Sequence, residues 1–212
     1  PVPTSSSNAY NEIKDTYSVV TATSHTCSLT NSGKVYCWGE GDDSRLGQGS
    51  TTDSNVPIKV PFPEHRAVEM IATHDAHNCA IVDDGNVHCW GKNTDGQIGE
   101  GNQSTWFGSP TKVTGLGDSM ASAISVGDGF SCAVLDNGST YCWGKNNLGQ
   151  LGDGTNTDST QPGMPTMMPW SNSAVTISSG KSHSCAILVN GQVACWGWNS
   201  YGQLGDNTLV DR

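Results

Sequence analysis

Apolar and polar residues alternate through short runs such as CAIVDDGNVHCW (Cys79 to Trp90), with a glycine near the middle of each run. A period of two broken by a turn residue reads as two half-buried strands joined as a hairpin, and helical periodicity is absent. The pattern occurs four times: CSLTNSGKVYCWGEGDDSRLGQG from Cys27, CAIVDDGNVHCWGKNTDGQIGEG from Cys79, CAVLDNGSTYCWGKNNLGQLGDG from Cys132 and CAILVNGQVACWGWNSYGQLGDN from Cys185. These starts lie 52, 53 and 53 residues apart. Repetition at that period marks a fold built from like units that bury their faces against one another. We expect an all-β, propeller-type fold with blade hairpins at 25–49, 77–101, 130–154 and 183–207, in a single repeat domain spanning 1–212. Between copies come a Pro-containing loop and a strand-like run, such as VEMIATHDAHN before Cys79 and SAISVGDGFS before Cys132.

The hairpin register follows from the turn. The midpoint between Cys27 and Cys37 is Ser32, so Thr30 faces Lys34 across Asn31-Ser32-Gly33. A three-residue loop ends in the left-handed region, where glycine is at no steric disadvantage, and Gly33, Gly85, Gly138 and Gly191 occupy that position. Counting outward puts Cys27 opposite Cys37, Cys79 opposite Cys89, Cys132 opposite Cys142 and Cys185 opposite Cys195. Directly opposed residues have Cα atoms about 4.5–5.5 Å apart, a separation that a disulfide tolerates. Each such loop is worth about 2–3 kcal/mol, less where the hairpin is already ordered. Two other uses of the cysteines remain open: zinc, although the ten-residue separation is unlike paired metal-ligand spacing, and reduced cross-strand thiols. Disulfides would imply an oxidising compartment.

Composition narrows the function. Only 14% of the 212 residues are charged, 26 are Gly and seven are Trp, a mixture unlike a helical bundle and too aromatic for a disordered chain. The net charge of −10 and the absence of any Lys/Arg cluster argue against nucleic acid or an anionic membrane as partner. No apolar run reaches the roughly 18 residues that span a bilayer, so no membrane insertion is expected. The chain opens on Pro1 without a basic and apolar leader, and the expectation is a processed or partial product.

The segment Cys-Trp-Gly…Gly-Gln-Leu-Gly resembles the repeats of the regulator of chromosome condensation family, RCC1-like repeats that each supply one four-stranded propeller blade. The matching stretches are His25 to Leu46, His77 to Gly99, Phe130 to Gly152 and His183 to Gly205, with Ser44-Arg45 in the first copy where the others have Gly-Gln. Trp38, Trp90, Trp143 and Trp196 each offer about 150–250 Å² of apolar surface to anchor one blade on the next. The resemblance implies a ring of about seven blades where this chain supplies four. The ring would therefore close with four, belong to a longer propeller, or pair its ends with neighbouring subunits. Pro1 to Pro3 is one candidate to fill a strand position left open at the other end. The family's nuclear member acts on a small GTPase and chromatin, roles that do not fit so acidic a chain. Cysteine-bearing forms of the repeat resemble those of secreted bacterial proteins, which implies an extracellular or cell-surface location.

Candidate sites are few. His25, His77 and His183 precede a cysteine by two residues, a repeated position expected to serve the framework. His74, Asp75, His77 and His88 form a local group that could ligate a metal, with solvated loop and strand residues as the alternative. Asp42-Asp43 and Asp153 with Asn156 and Asp158 offer oxygen ligands for calcium, or simply Asx turns. No catalytic triad, nucleophile elbow or phosphate loop is present in the pattern. Residues outside the repeat are better guides to binding: Trp106 and Phe107 after the second copy, Met164, Met167, Met168 and Trp170 after the third, Trp198 and Tyr201 in the fourth. Asn102 and Asn137 head glycosylation sequons. The reading is a non-enzymatic extracellular scaffold without cofactor that binds a protein or a glycan. Its alternatives are a structural subunit that pairs with copies of itself through open blade edges and, third, a propeller enzyme.

Overall fold

The computed structural model describes residues 13–164 and 173–212; Pro1 to Pro3, Met167, Met168 and Trp170 lie outside them. Blade 1 comprises β1 (Thr16–Thr21), β2 (His25–Thr30), β3 (Val35–Gly39) and β4 (Ser54–Lys59). Blade 2 comprises β5 (Val68–His74), β6 (His77–Val82), β7 (Val87–Lys92) and β8 (Trp106–Lys112). Blade 3 comprises β9 (Ala121–Val126), β10 (Phe130–Leu135), β11 (Thr140–Gly144) and β12 (Ser159–Gly163). Blade 4 comprises β13 (Ala174–Ser179), β14 (His183–Leu188) and β15 (Val193–Gly197). Each blade is an antiparallel sheet in chain order, with four strands in blades 1–3 and three in blade 4. Two three-residue 3-10 turns, Asp42–Ser44 and Pro63–His65, are the only helical elements among the described residues.

The turn chemistry sets the register. Thr30 N–H donates to Lys34 O at 2.9 Å and Gly33 N–H to Thr30 O at 2.9 Å, with Gly33 at φ +72°. A methyl group there would also lie 2.5 Å from Ala67 Cβ in the loop leading to the next blade. Cys27 therefore pairs with Cys37, and the other three hairpins repeat the match. All eight cysteines are joined as disulfides within their hairpins, each with Cα atoms 4.1 Å apart, slightly inside the expected separation.

Strand alternation gives blades 2 and 3 two buried apolar faces, one toward the preceding blade and one toward the next. The seam between blades 1 and 2 packs Cys27, Leu29, Val35, Cys37, Leu46 and Val60 against Val68, Ile71, Ala80, Val82 and Trp90. The same positions recur between blades 2 and 3 and between blades 3 and 4. The core is thus three seams and not one central cluster. Blades 1 to 4 pack in succession, and no comparable packing joins blade 4 to blade 1 among the described residues. They form an open arc, so the four-blade closed ring is not the arrangement found.

Candidate functional site

The polar chemistry of the molecule concentrates at the seams. Trp90 Nε1–H donates to Arg45 O at 3.1 Å, Trp143 Nε1–H to Gln97 O at 2.9 Å and Trp196 Nε1–H to Gln150 O at 3.0 Å. Each indole reaches back to the Gly-rich segment of the preceding blade and packs against it. A methyl group at Gly99 would sit 2.6 Å from Trp143, which is why the segment needs glycine there. Trp90, Trp143 and Trp196 are fully buried, whereas Trp38, with no blade before it among the described residues, is partly exposed.

Histidine completes two of these locks. His77 Nε2–H donates to Ser131 Oγ at 2.9 Å, and Ser131 spends its only proton on Gln97 O at 3.0 Å, which fixes the direction of both bonds. At the first seam His25 Nε2–H donates to Asn78 Oδ1 at 2.8 Å, and Asn78 Nδ2–H donates to Arg45 O at 2.8 Å. Burial pushes the His77 imidazole down to about 3, so it is neutral at ordinary pH. Burial lowers His25, His88 and His183 as well. Phe130 takes the histidine position in blade 3, and at the third seam Ser179 N–H donates to Ser125 Oγ at 2.8 Å beside the Trp196 bond.

The suggested metal groups are not assembled. His77 turns to Ser131 in the seam, while His88 packs edge-on to Phe62 at 6.3 Å. Among the described residues no three His, Cys, Asp or Glu side chains converge. The solvated alternative also fails for His77, which is fully buried. In the acidic loops, the Asn146 amide sits among the oxygens. Its Nδ2 lies 3.1 Å from each of Asp153 Oδ1, Thr155 O, Thr155 Oγ1 and Thr157 O, and Asp158 Oδ1 accepts Asn146 N–H at 2.7 Å. Asn199 repeats the arrangement with Asp206, Thr208 and Val210. These carboxylates order their loop around an amide group. The recurring Asn93, Asn146 and Asn199 carried that signal in the sequence.

The departure at Ser44-Arg45 is compensated locally. Gln97 and Gln150 accept an N–H two residues back, from Asp95 and Leu148. Arg45 instead bonds Asp42 O at 2.8 Å and Glu40 Oε2 at 2.5 Å. Glu40 stands where the next two blades carry Lys92 and Lys145, so a charge swap accompanies the Gln-to-Arg change.

The candidate binding residues fall on two ends of the blades. Antiparallel connectivity places the segments after β3, β7, β11 and β15 on one end, here the loop face, and the hairpin tips on the other. Trp106 opens β8 on the loop face and is exposed, while Phe107 beside it packs partly into the second seam. Trp198 and Tyr201 stack edge to face at 5.2 Å on the same end of blade 4, and Tyr201 is 83% exposed. Trp106 and the Trp198–Tyr201 pair are two blades apart and make no mutual contact. Asn102 is exposed on the loop face. Asn137 is exposed at a hairpin tip, where its Nδ2 bonds Ser119 Oγ at 3.1 Å. Met164 is exposed just after β12.

One hollow was not foreseen. At the hairpin-tip end, between blades 1 and 2, a cavity of about 360 Å³ is walled by Lys34, Lys59, His65 and Arg66 over Val35 and Phe62. Arg66 is engaged by Asp84 at 3.2 Å and by Glu64 and Asp83 at 3.4 Å. The equivalent hollow between blades 2 and 3 holds about 100 Å³. The basic residues of the larger hollow are scattered along the chain and meet only at the seam.

Residues 32–81, 84–134 and 137–187 match the regulator of chromosome condensation (RCC1) repeat, and residues 121–150 and 174–203 match a second description of that repeat. Over 190 residues the chain is 33% identical to the ultraviolet-B receptor UVR8 of Arabidopsis thaliana, covering 89% of this chain and 42% of that protein. The crystal structure of human WBSCR16 superposes with a TM-score of 0.83 at 26% identity, over 93% of this chain and 51% of that one. Yeast RCC1 (Prp20), in its crystal structure bound to Kap60, shares the fold with a TM-score of 0.78 at 20% identity, over 92% and 47% of the two chains. The chain therefore spans about half the length of these proteins.

Proposed function

The chain belongs to the regulator of chromosome condensation (RCC1) repeat family, and on that premise we propose that it is a protein-binding propeller scaffold, extracellular or at a cell surface, with no catalytic role of its own. We take residues 1–212 as one repeat domain. The observation that carries the reading is the contrast between spent polar groups and unspent aromatics. His25 and His77, the side chains best suited to acid–base work, are consumed in seam hydrogen bonds. Trp106 and Tyr201 are large, exposed on the loop face and absent from the three seam clusters. Exposed aromatics of that kind anchor protein interfaces, because they bury much area with few rotamers to freeze. Yeast RCC1, of the same fold, is seen bound to Kap60. The four disulfides fit an oxidising setting, and Asn102 and Asn137 are accessible sequons for a host that glycosylates.

The test is a display screen of extracellular proteins run beside a glycan array, with wild type and the double variant Trp106→Ala/Tyr201→Ala. Saturable binding to a protein, weakened about thirtyfold or more in the variant at unchanged thermal midpoint, supports the reading. Binding confined to glycans, or protein binding untouched by the substitutions, contradicts it.

A further inference from the structure

Three of the histidines, His25, His77 and His88, are buried, and they are spread unevenly over the three seams. The first seam, between blades 1 and 2, holds two of them. His25 reaches across it from blade 1 to Asn78 and Thr73 of blade 2, at 2.8 and 2.9 Å. His88 enters from blade 2 and packs edge-on against Phe62, in the loop that leaves blade 1. The second seam holds His77, with half-buried His74 nearby and Tyr141 at the position of His88. In the third, Phe130 and Ala194 fill the two histidine positions.

Neither ring of the first seam has room for a second proton. The Asn78 amide is oriented by its bond from Nδ2 to Arg45 O, so Oδ1 faces His25 and Nε2 carries the imidazole proton. An added proton must go to His25 Nδ1, which is buried and has no hydrogen-bond partner among the described residues; His88 Nδ1 is placed in the same way. A buried N–H without an acceptor loses its hydration and gains nothing in return, and parting of the blades gives the hydration back. Burial is the largest influence holding both rings below their ordinary value. Around His25 it is opposed by the Asn78 bond, Asp75 and Glu40 and reinforced by Arg45. Around His88 it is opposed by Asp84 and Glu64 and reinforced by Lys112 and Arg66. Burial of His77 is reinforced by His74, His25 and Lys92 and opposed by the Phe130 backbone.

These histidines and the indoles share their anchor points. Arg45 O accepts from both Asn78 and Trp90, and Gln97 O from both Ser131 and Trp143, whereas Gln150 O accepts Trp196 at a seam without a buried histidine. We propose that the first seam is an acid-sensitive joint, opening most steeply in mild acid, with the second seam responding less and the third not at all. Opening exposes His25 and His88 together, so the open form binds up to two protons more than the closed one below pH 6.5. Its population then rises by up to about a hundredfold per pH unit, against about tenfold for the single buried histidine of the second seam. The bond from Gly49 N–H to Gly108 O at 2.6 Å also crosses the first seam, two residues from Trp106, so the loop face loosens with the joint.

Hydrogen exchange of the indole N–H groups from about pH 7 to about pH 5, corrected for the intrinsic rate at each pH, gives the opening constant of each seam. The constant should rise by up to about a hundredfold per pH unit for Trp90 and about tenfold for Trp143, and stay level for Trp196. His88→Tyr, which installs the residue found in blades 1 and 3, should cut the Trp90 response to that of one proton. His25→Phe/Asn78→Ser, which copies Phe130 and Ser184 of the third seam, should remove the other proton, and both variants should leave Trp143 as it was. Thermal melts at neutral pH check that each variant folds; should the double variant fail, His88→Tyr alone decides. An equal rise at all three indoles, a level response at Trp90, or a Trp90 response untouched by His88→Tyr overturns the proposal.

Discussion

At the scale of single residues, the seams turn titratable and charged groups into structure. Neutral His77 is favoured by the fold, with a pKa of about 3 against the ordinary 6.5. As pH falls through 6.5 the unfolded chain takes up a proton that the native state refuses until about 3, so stability is complete above 6.5 and declines across that window. His25, His88 and His183, also lowered by burial, act in the same direction. Urea unfolding at several pH values should show this slope. His77→Gln should flatten it, by at most about 1.4 kcal/mol per pH unit for one proton, while lowering stability at neutral pH. Arg45 offers a second test at this scale. Its side chain is 9% exposed and leans on Glu40, which is 39% exposed. Glu40→Ala should cost about 1–3 kcal/mol, below the loss at a fully buried pair because solvent screens Glu40. Arg45→Gln should cost less, since Gln97 and Gln150 fill that position in other blades; urea midpoints compare the two. The repeated histidine was legible in the sequence as a framework position. Its partners Asn78 and Ser131 were not, because they lie 53 and 54 residues away and meet it only when two blades pack.

At the scale of the blade, the hairpin and the indole do separate work. The turn glycine and the strand alternation determine which cysteines face each other, and both are local, which is why the pairing could be read from Ser32 outward. Reduction of all four bridges should lower stability by about 2–3 kcal/mol per bridge or somewhat less, followed as a drop in thermal midpoint with reductant. The indoles act between blades, and equivalence in the sequence did not make them equivalent in the fold. All four repeat tryptophans are candidate anchors by pattern, but burial needs a preceding blade, and Trp38 has none among the described residues. Trp143→Ala should cost about 3–5 kcal/mol, the usual loss for a buried aromatic. Trp38→Ala should cost dilute protein far less, by the same unfolding assay. The rim hollow with Lys34, Lys59 and Arg66 escaped the sequence for a related reason: its walls come from a hairpin tip and the next interblade loop, brought together only by the seam.

At the scale of the whole molecule, stability is a chain of nearest-neighbour seams, as in other repeat proteins. Repeat count and spacing revealed the blades, whereas the openness of the arc depends on which faces find a partner in space. The most direct measurement is hydrogen exchange at the indole N–H groups of dilute protein, resolved residue by residue by nuclear magnetic resonance. Trp90, Trp143 and Trp196 should exchange slowly, held on the carbonyls of Arg45, Gln97 and Gln150, while Trp38 exchanges quickly together with exposed Trp106. Equal protection of Trp38 and its three counterparts at dilution, or fast exchange at all four, would contradict an open arc of tryptophan-locked blades.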